Sequence, residues 1–154
     1  MLVFVYGTLT DPDRARTVLD RDPEYRDDAV LEGFHRADGA YPTLLPGGEC
    51  EGRLLRVHES DVHRLDAYEG VDRGLYVRVP LPLVEPNDAD GNADEGGPGR
   101  RRGTVETYVG DPSRLDVDGS WPGDGPLADR VRECVTRESV VVRPGGSGTG
   151  SRSE

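Results

Sequence analysis

The chain begins with a short, continuous apolar run, LVFV at residues 2–5, which is typical of a strand buried on both faces. A helix is predicted directly afterwards, over residues 12 to 20, because Asp11 is a good N-cap residue and Pro12 suits the first helical position. The stretch YGTL at residues 6–9 therefore connects a buried strand to a helix within a few residues. A glycine in such a connection lets the backbone approach another group closely.

The rest of the chain alternates short strands with two further helices. Apolar runs and alternation predict strands, and apolar residues at helical spacing predict helices. The strands are expected at 29–34, 51–57, 76–84 and 103–109, the helices at 61–69 and 127–138, and a loop with turns at 41–47. Pro80 and Pro82 confine the strand 76–84 to a sheet edge or a bulge, since proline cannot donate to a ladder.

Two stretches lack any periodicity. Residues 86–102 are polar, acidic and glycine-rich, and they end in three consecutive arginines. This composition predicts a mobile, solvated hairpin loop, and a binding arm is the alternative. Residues 145–154 are rich in glycine and serine, which predicts a disordered tail. The remainder, residues 1–144, is expected to form one domain, because 154 residues suffice for about one.

The charge balance limits the classes of partner. The sequence has 30 aspartate and glutamate residues and 19 basic residues, all of them arginine, so the formal net charge is −11. Such a chain repels phosphates, so nucleic acid and anionic membranes are not expected as partners. An acidic surface without lysine favours a halophilic protein, kept soluble in high salt where its self-repulsion is screened. A GC-rich genome with an acidic bias is the alternative explanation.

Cysteine and histidine usage bears on compartment and metal binding. The sequence shows neither a leader before the first strand nor an apolar stretch of membrane length, so a cytoplasmic location is expected. Cys50 and Cys134 are far apart and are expected to be buried thiols rather than a disulfide. With His35, His58 and His63 they show no zinc-ligand spacing, and no metal site is expected.

The helix at 61–69 carries the most informative candidate for chemistry. Val62, Leu65 and Glu69 share one face at 3.6 residues per turn, and the two apolar residues must face a core. The side chain of Glu69 then either points toward the protein interior, or extends into solvent or pairs with an arginine, because it lies near the end of the helix. An inward carboxyl, near the negative end of the helix dipole, has a raised pKa and is a competent general acid/base. Backbone N–H groups of the YGTL bend can hold a carboxylate or an oxyanion opposite it.

Three motifs in order carry a family resemblance. YGTL at 6–9, LDAYEG at 65–70 and YVR at 76–78 resemble the YGTL/YGSL, LDxxEG and YxR motifs of the γ-glutamylcyclotransferase-like family, also called AIG2-like or BtrG-like. GAYPTLLPG at 39–47 also matches the family's YP-containing loop. The resemblance covers roughly residues 2 to 110.

The resemblance implies an α+β fold, a small mixed β-barrel of about six strands with short flanking helices. It implies a catalytic acid/base at Glu69 and a substrate-binding loop formed by Tyr6, Gly7, Thr8 and Leu9. It places Tyr76 and Arg78 near the same cavity, with Arg78 either a substrate ligand or a structural partner of a carboxylate. The family's reaction needs no cofactor.

The implied activity is cyclisation of a γ-glutamyl amine or peptide to 5-oxoproline, with release of the amine. The competing hypotheses are a non-catalytic binding or regulatory module that uses the same cavity, and an interaction protein that uses its acidic loop. Glu69 favours the enzyme, because a binding module has no need of an inward carboxylate. The sequence leaves open the identity of the leaving amine and the oligomeric state.

Overall fold

The computed structural model describes residues 1–84 and 101–144, and in this part of the chain the backbone forms a closed, mixed β-barrel of six strands with three helices. The strands are β1 (Leu2–Val5), β2 (Glu24–Ala37), β3 (Thr43–Arg56), β4 (Tyr76–Val84), β5 (Arg101–Gly110) and β6 (Val141–Pro144). The helices are α1 (Pro12–Leu19), α2 (Glu59–Glu69) and α3 (Leu127–Glu138), with short 3₁₀ turns at Thr8–Thr10 and Val71–Arg73. The predicted barrel is therefore confirmed.

The barrel closes in the order β1-β3-β2-β6-β4-β5. β1 runs antiparallel to β3 and parallel to β5, and the β1–β5 pairing completes the ring. Each strand contributes an apolar side chain that is at most 1% exposed: Phe4, Leu31, Leu54, Leu81, Val105 and Val142. This shared core fixes the strand ends, and the connections that leave them carry the candidate site.

The sequence located the helices more accurately than the strands. Helix α3 has the predicted bounds, whereas α2 begins two residues before the predicted start. At that start the Asp61 carboxylate accepts a hydrogen bond of 2.9 Å from the His58 N–H, and it also pairs with Arg21 at 2.5 Å. The helix therefore begins earlier than its apolar spacing predicts, with His58 as the N-cap residue, because the first turn forms around this carboxylate.

The prediction of a loop at 41–47 was wrong from residue 43 onward, where the structure has a strand. Strand β3 begins at Thr43 and pairs with β2 from Ala37↔Thr43 to Glu24↔Arg56, forming one long hairpin. A register shift between Glu32 and Phe34 accommodates the proline and glycines of this stretch. Pairing along the whole hairpin therefore outweighs the local turn signals.

Strand β6 was missed, and β5 is longer than predicted. β6 has four residues and pairs mainly with β2, as in Leu31↔Val142. β5 begins at Arg101, so the last two residues of the predicted loop 86–102 belong to a strand. The rest of that loop and the predicted tail 145–154 lie outside the described residues.

The prolines of β4 lie where the strand has one neighbour. β4 pairs with β5 along its length, but with β6 only at Leu83↔Val142. No strand on the β6 side therefore requires a backbone N–H from Pro80 or Pro82, as at a sheet edge.

Cys50 and Cys134 are buried free thiols. In the described part of the chain, each helix is too short or too polar to cross a membrane.

Candidate active site

A cavity of about 370 Å³ lies between the bend after β1, the end of α2 and the first residue of β4. Six of the seven site residues predicted from the sequence line it: Tyr6, Gly7, Thr8, Leu9, Glu69 and Tyr76. Arg78 is not a lining residue. The exposed side chain of Tyr41, at 59% exposure, marks the mouth of the cavity. The barrel thus brings together segments that lie far apart in the sequence.

Glu69 is the last residue of α2. Its side chain points into the cavity because the apolar residues on the same face of the helix are packed in the core. Leu65, one turn earlier, is completely buried, and Val62 packs against the same core. Gly70 then ends the helix in the left-handed conformation, with a φ of 72°. Of the two orientations left open by periodicity, the structure therefore has the one that faces the cavity.

The carboxyl of Glu69 is half-buried and unpartnered. It forms no hydrogen bond or ion pair with any residue among 1–84 and 101–144. Burial of this group disfavours its charged form and raises the pKa of Glu69 to about 7. Near neutral pH, the side chain is therefore able both to accept and to donate a proton.

A hydrogen-bonded network fixes the end of α2 to the barrel. The carboxylate of Asp66 accepts hydrogen bonds from Arg78 Nη1, at 2.5 and 2.6 Å, and from the Tyr108 hydroxyl at 2.7 Å. The guanidinium also lies 3.5 Å from Glu106, and the Tyr108 carbonyl accepts a 2.6 Å hydrogen bond from the Tyr6 hydroxyl. The geometry thus favours the structural alternative for Arg78, which holds a carboxylate of α2 outside the cavity.

The YGTL bend is a tight turn with free N–H groups. The carbonyl of Gly7 accepts hydrogen bonds from the Thr10 N–H at 3.1 Å and from its hydroxyl at 2.7 Å. In the described residues, the N–H groups of Gly7, Thr8 and Leu9 have no acceptor, as expected at the start of a helical turn. A Cβ at Gly7 would lie 3.0 Å from Pro42 Cγ, so a side chain there would crowd the cavity wall.

The tyrosines of the cavity shape its walls. The hydroxyl of Tyr76 donates a 2.5 Å hydrogen bond to the carbonyl of Pro42, and the Tyr6 hydroxyl is engaged with β5. Burial raises the pKa of both phenols above the ordinary value, so both are neutral near pH 7. On the exposed side, the hydroxyls of Thr8 and Tyr68 lie 2.7 Å apart and join the bend to α2.

Sequence reasoning missed several lining residues, which are Arg14, Tyr41, Pro42, Tyr68, Arg73 and Tyr108. Tyr41, Pro42 and Tyr68 lie inside the quoted motifs, so the motifs gave a signal for them. No motif marks Arg14, Arg73 or Tyr108, which reach the cavity through the packing of α1, the turn after α2 and β5. Within the described ranges, no group of three or more histidines, cysteines or carboxylates is placed to hold a metal ion.

Comparisons with known proteins agree with this arrangement. The family model described as gamma-glutamyl cyclotransferase, AIG2-like, matches residues 3–122. AIG2-like protein A of Arabidopsis thaliana is 34% identical over 77% of this chain and 67% of the relative, and AIG2-like protein C is 37% identical over 77% and 64%. The chain thus spans about two thirds of the length of these curated relatives.

Solved structures show the same fold. A solution structure from Arabidopsis thaliana is 29% identical and superposes with a TM-score of 0.53, covering 89% of this chain and 84% of the other. A structure described as gamma-glutamyl cyclotransferase has a TM-score of 0.56 at 16% identity, covering 88% and 98%. At that identity the second likeness concerns the barrel fold alone.

Proposed function

Because the chain belongs to the gamma-glutamyl cyclotransferase, AIG2-like family, we propose that it is an enzyme that cyclises a γ-glutamyl amine or peptide. The products are 5-oxoproline and the released amine. The observation that carries the proposal is the unpartnered, half-buried carboxyl of Glu69, which shares one cavity with the free N–H groups of residues 7–9.

The substrate supplies most of the geometry that the reaction needs. The α-amine of a γ-glutamyl group lies within reach of its own γ-carbonyl, so a five-membered lactam forms without a second reactant. The α-ammonium must first lose a proton, and the carboxylate of Glu69 accepts it. The amine nitrogen then bonds to the γ-carbon, and the carbonyl oxygen becomes an oxyanion.

The second half of the reaction returns the proton. Glu69, now protonated, donates its proton to the nitrogen of the leaving amine, the bond from the γ-carbon to that nitrogen breaks, and the carbonyl of the lactam forms. The lactam nitrogen then gives up its second proton to the Glu69 carboxylate, which passes it to the released amine and returns to its starting state. A pKa of about 7 suits both roles of the one carboxyl group. This chemistry balances without a cofactor or metal.

The remaining lining residues hold the γ-glutamyl group. The N–H groups of Gly7, Thr8 and Leu9 are the donors available to the oxyanion or to the substrate's α-carboxylate. Tyr6 and Tyr76, with their hydroxyls engaged elsewhere, provide walls against the methylene chain. Arg78 is omitted from the proposed substrate contacts, because its guanidinium is bound to Asp66.

The test is a panel of γ-glutamyl amines and dipeptides with detection of 5-oxoproline. Glu69→Gln is expected to lower release on the order of a hundredfold or more, because the amide carries no exchangeable carboxyl proton. Glu59→Gln, the same change at an exposed position of α2, is the matched control and is expected to retain activity. Circular dichroism of both variants monitors folding.

Two outcomes would contradict the proposal. Near wild-type release by a folded Glu69→Gln variant would show that another group moves the proton. If wild-type protein binds γ-glutamyl ligands but forms no 5-oxoproline from any of them, the chain is a binding module that uses the same cavity.

A further inference from the structure

The three free N–H groups of the bend belong to consecutive peptide units, and the carbonyl oxygen of each unit is held by a donor. The carbonyl of Gly7 accepts hydrogen bonds from the N–H and the hydroxyl of Thr10. The carbonyl of Thr8 accepts one from the Asp11 N–H at 3.1 Å. Every peptide bond in the described ranges is trans, so each N–H points away from the carbonyl oxygen of its own unit. Hydrogen bonds on one edge of the bend therefore direct the three N–H groups to the other edge.

The first of these peptide units, between Tyr6 and Gly7, is held by a cation. Arg36 of β2 donates a 3.0 Å hydrogen bond from Nη1 to the carbonyl of Tyr6, and its Nε lies 3.0 Å from a carboxylate oxygen of Asp38. The other two units accept from neutral donors of the bend itself. A charged donor forms the stronger hydrogen bond, and hydrogen bonds in a chain polarise one another. The guanidinium therefore makes the Gly7 N–H a stronger donor than the two that follow it.

Two further side chains of the β2–β3 hairpin hold the end of the bend. The hydroxyl of Tyr25 donates a 2.6 Å hydrogen bond to the carbonyl of Leu9, and Arg53 Nη1 donates one of 3.2 Å to the carbonyl of Thr10. The N–H groups of these two peptide units already bond to carbonyls within the turn. These contacts fix the bend, but they strengthen no N–H group that is free for a ligand.

The unit polarised by the arginine lies at the inner end of the bend. Tyr6 is 6% exposed, whereas Thr8 is exposed to solvent. Burial raises the pKa of the Tyr6 phenol, and the charges of Tyr76 and Glu69 raise it further, so the Glu69 carboxyl is close to this residue. The γ-carbonyl of a substrate must also lie near Glu69, which brings its oxygen to the Gly7 N–H.

We propose that Arg36 is a positioning residue, which aligns and strengthens the Gly7 N–H as the donor for the oxyanion formed on the γ-carbonyl. The carbonyl oxygen gains its charge only as the tetrahedral intermediate forms, so a stronger donor lowers the barrier rather than tightening substrate binding. The N–H groups of Thr8 and Leu9 remain for the α-carboxylate. The inference rests on the proposed function and names the donor, among three candidates, that meets the developing charge.

Steady-state kinetics tests the role of the guanidinium, with the γ-glutamyl substrate that wild type cyclises fastest. Arg36→Met keeps an unbranched side chain but removes every donor, and we expect kcat to fall about tenfold while KM stays close to wild type. Loss of a whole oxyanion donor costs about a hundredfold or more, and here the Gly7 N–H itself remains. Arg36→Lys restores a charged donor and should recover most of the lost kcat.

Arg143→Met is the matched control. Arg143 of β6 is 45% exposed against 47% for Arg36, and its Nε likewise lies 3.0 Å from a carboxylate oxygen, that of Glu32. The change therefore removes the same charge and the same kind of ion pair, but no contact with the bend. We expect it to leave kcat and KM at the wild-type values. Thermal melting of all three variants monitors the fold.

Nuclear magnetic resonance of the ligand-free protein gives a readout that does not depend on turnover. A hydrogen bond to a carbonyl draws electron density from the nitrogen of the same peptide unit. The amide nitrogen and proton resonances of Gly7 should therefore move upfield in Arg36→Met and return toward wild type in Arg36→Lys. The resonances of Thr8 and Leu9 should move less, and Arg143→Met should leave all three in place.

The outcomes separate this inference from the proposed function. While 5-oxoproline release stands, the inference is overturned by an unchanged kcat in Arg36→Met, by a rise in KM at constant kcat, or by equal losses of kcat in Arg36→Met and Arg36→Lys. If wild type forms no 5-oxoproline from any substrate, the proposed function fails and the resonances decide alone. A shift confined to Gly7 then supports the strengthening of this donor, and a shift no larger than those of Thr8 and Leu9 overturns it.

Discussion

At the scale of single residues, the Glu69 carboxyl links the proposed chemistry to the stability of the fold. The ordinary pKa of this side chain is 4.5, and burial raises the pKa of Glu69 to about 7. Between these values the folded chain holds a proton that the unfolded chain has released. The contribution of Glu69 to the free energy of unfolding is therefore complete below pH 4.5, and it is lost as the pH rises through 7.

Replacing Glu69 by glutamine should remove this pH dependence. We expect Glu69→Gln to be more stable than wild type at pH 8, on the order of 1 kcal/mol because the site is only partly dry, and near wild type at pH 4.5. Urea unfolding of both proteins from pH 4.5 to 8 measures the difference. Glu59→Gln, at an exposed position, should show no such trend. A Glu69→Gln difference that is constant with pH would refute the argument.

The residues of the site differ in how far the sequence could predict them. Helical spacing left the direction of Glu69 open, and only the motif resemblance marked it as catalytic. The role of Arg78 was equally open, because it depends on Asp66 lying across from β4. Arg14 and Arg73 carried no signal at all, since their approach to the cavity depends on how their elements pack against the barrel.

At the scale of elements, the end of α2 is held in place by contacts with β4 and β5. Asp66, on the helix, is bound by Arg78 of β4 and by the hydroxyl of Tyr108 of β5. Three residues later the same helix presents Glu69 to the cavity. Asp66 is therefore a positioning residue, since it acts on the proposed chemistry through the orientation of the helix end.

Asp66→Asn should loosen this attachment. The variant removes the carboxylate that Arg78 binds most closely and leaves Glu106, at 3.5 Å, as its remaining acidic partner, and we expect a loss of about 1–3 kcal/mol in the free energy of unfolding. We also expect kcat to fall more than KM changes, because misplacement of Glu69 affects the reaction rather than the binding walls. Thermal melting and steady-state kinetics measure both effects. Asp72→Asn, at an exposed and unpaired aspartate, is the control; equal effects of the two changes would argue against a positioning role.

The elements that the sequence missed are those whose formation depends on a partner. Strand β3 begins at Thr43 despite a proline and two glycines nearby, because β2 supplies a ladder along its whole length. Strand β6 has only four residues, too few for a periodic pattern, and it exists as a partner of β2. Helix α3 has the bounds predicted for it, because its apolar spacing is local to the segment.

At the scale of the whole molecule, closure of the barrel assembles the site. The bend at 6–9 leaves β1, Tyr76 begins β4 and Tyr108 lies in β5, while Glu69 reaches them from a helix between β3 and β4. Such contacts join residues up to 102 positions apart, as in the hydrogen bond from the Tyr6 hydroxyl to the Tyr108 carbonyl. A sequence pattern reports neighbours along the chain, so this convergence was accessible only through the family resemblance.

The net charge of −11 is also a property of the whole molecule, and it predicts how salt affects stability. The screening length is about 30 Å at 0.01 M salt and about 3 Å at 1 M, so added salt removes most of the repulsion among exposed carboxylates. We expect the melting temperature to rise with potassium chloride, most steeply over the low-salt range.

Salts that are excluded from the protein surface also stabilise a fold by strengthening the burial of apolar groups, whatever its charge. A variant with fewer surface charges separates the loss of charge repulsion from this general effect. Asp118, Asp124 and Glu133 are exposed and have no ion-pair partner among the described residues, so Asp118→Asn/Asp124→Asn/Glu133→Gln removes three charges without breaking a contact. We expect this triple variant to melt at a higher temperature than wild type in 0.01 M salt and to show a shallower rise with potassium chloride. Identical salt curves for the two proteins, or a wild-type melting temperature that stays flat or falls, would exclude salt adaptation. Glu69 lines the cavity, and none of the three substituted residues does. Release of 5-oxoproline by the triple variant should therefore match wild type at every salt concentration.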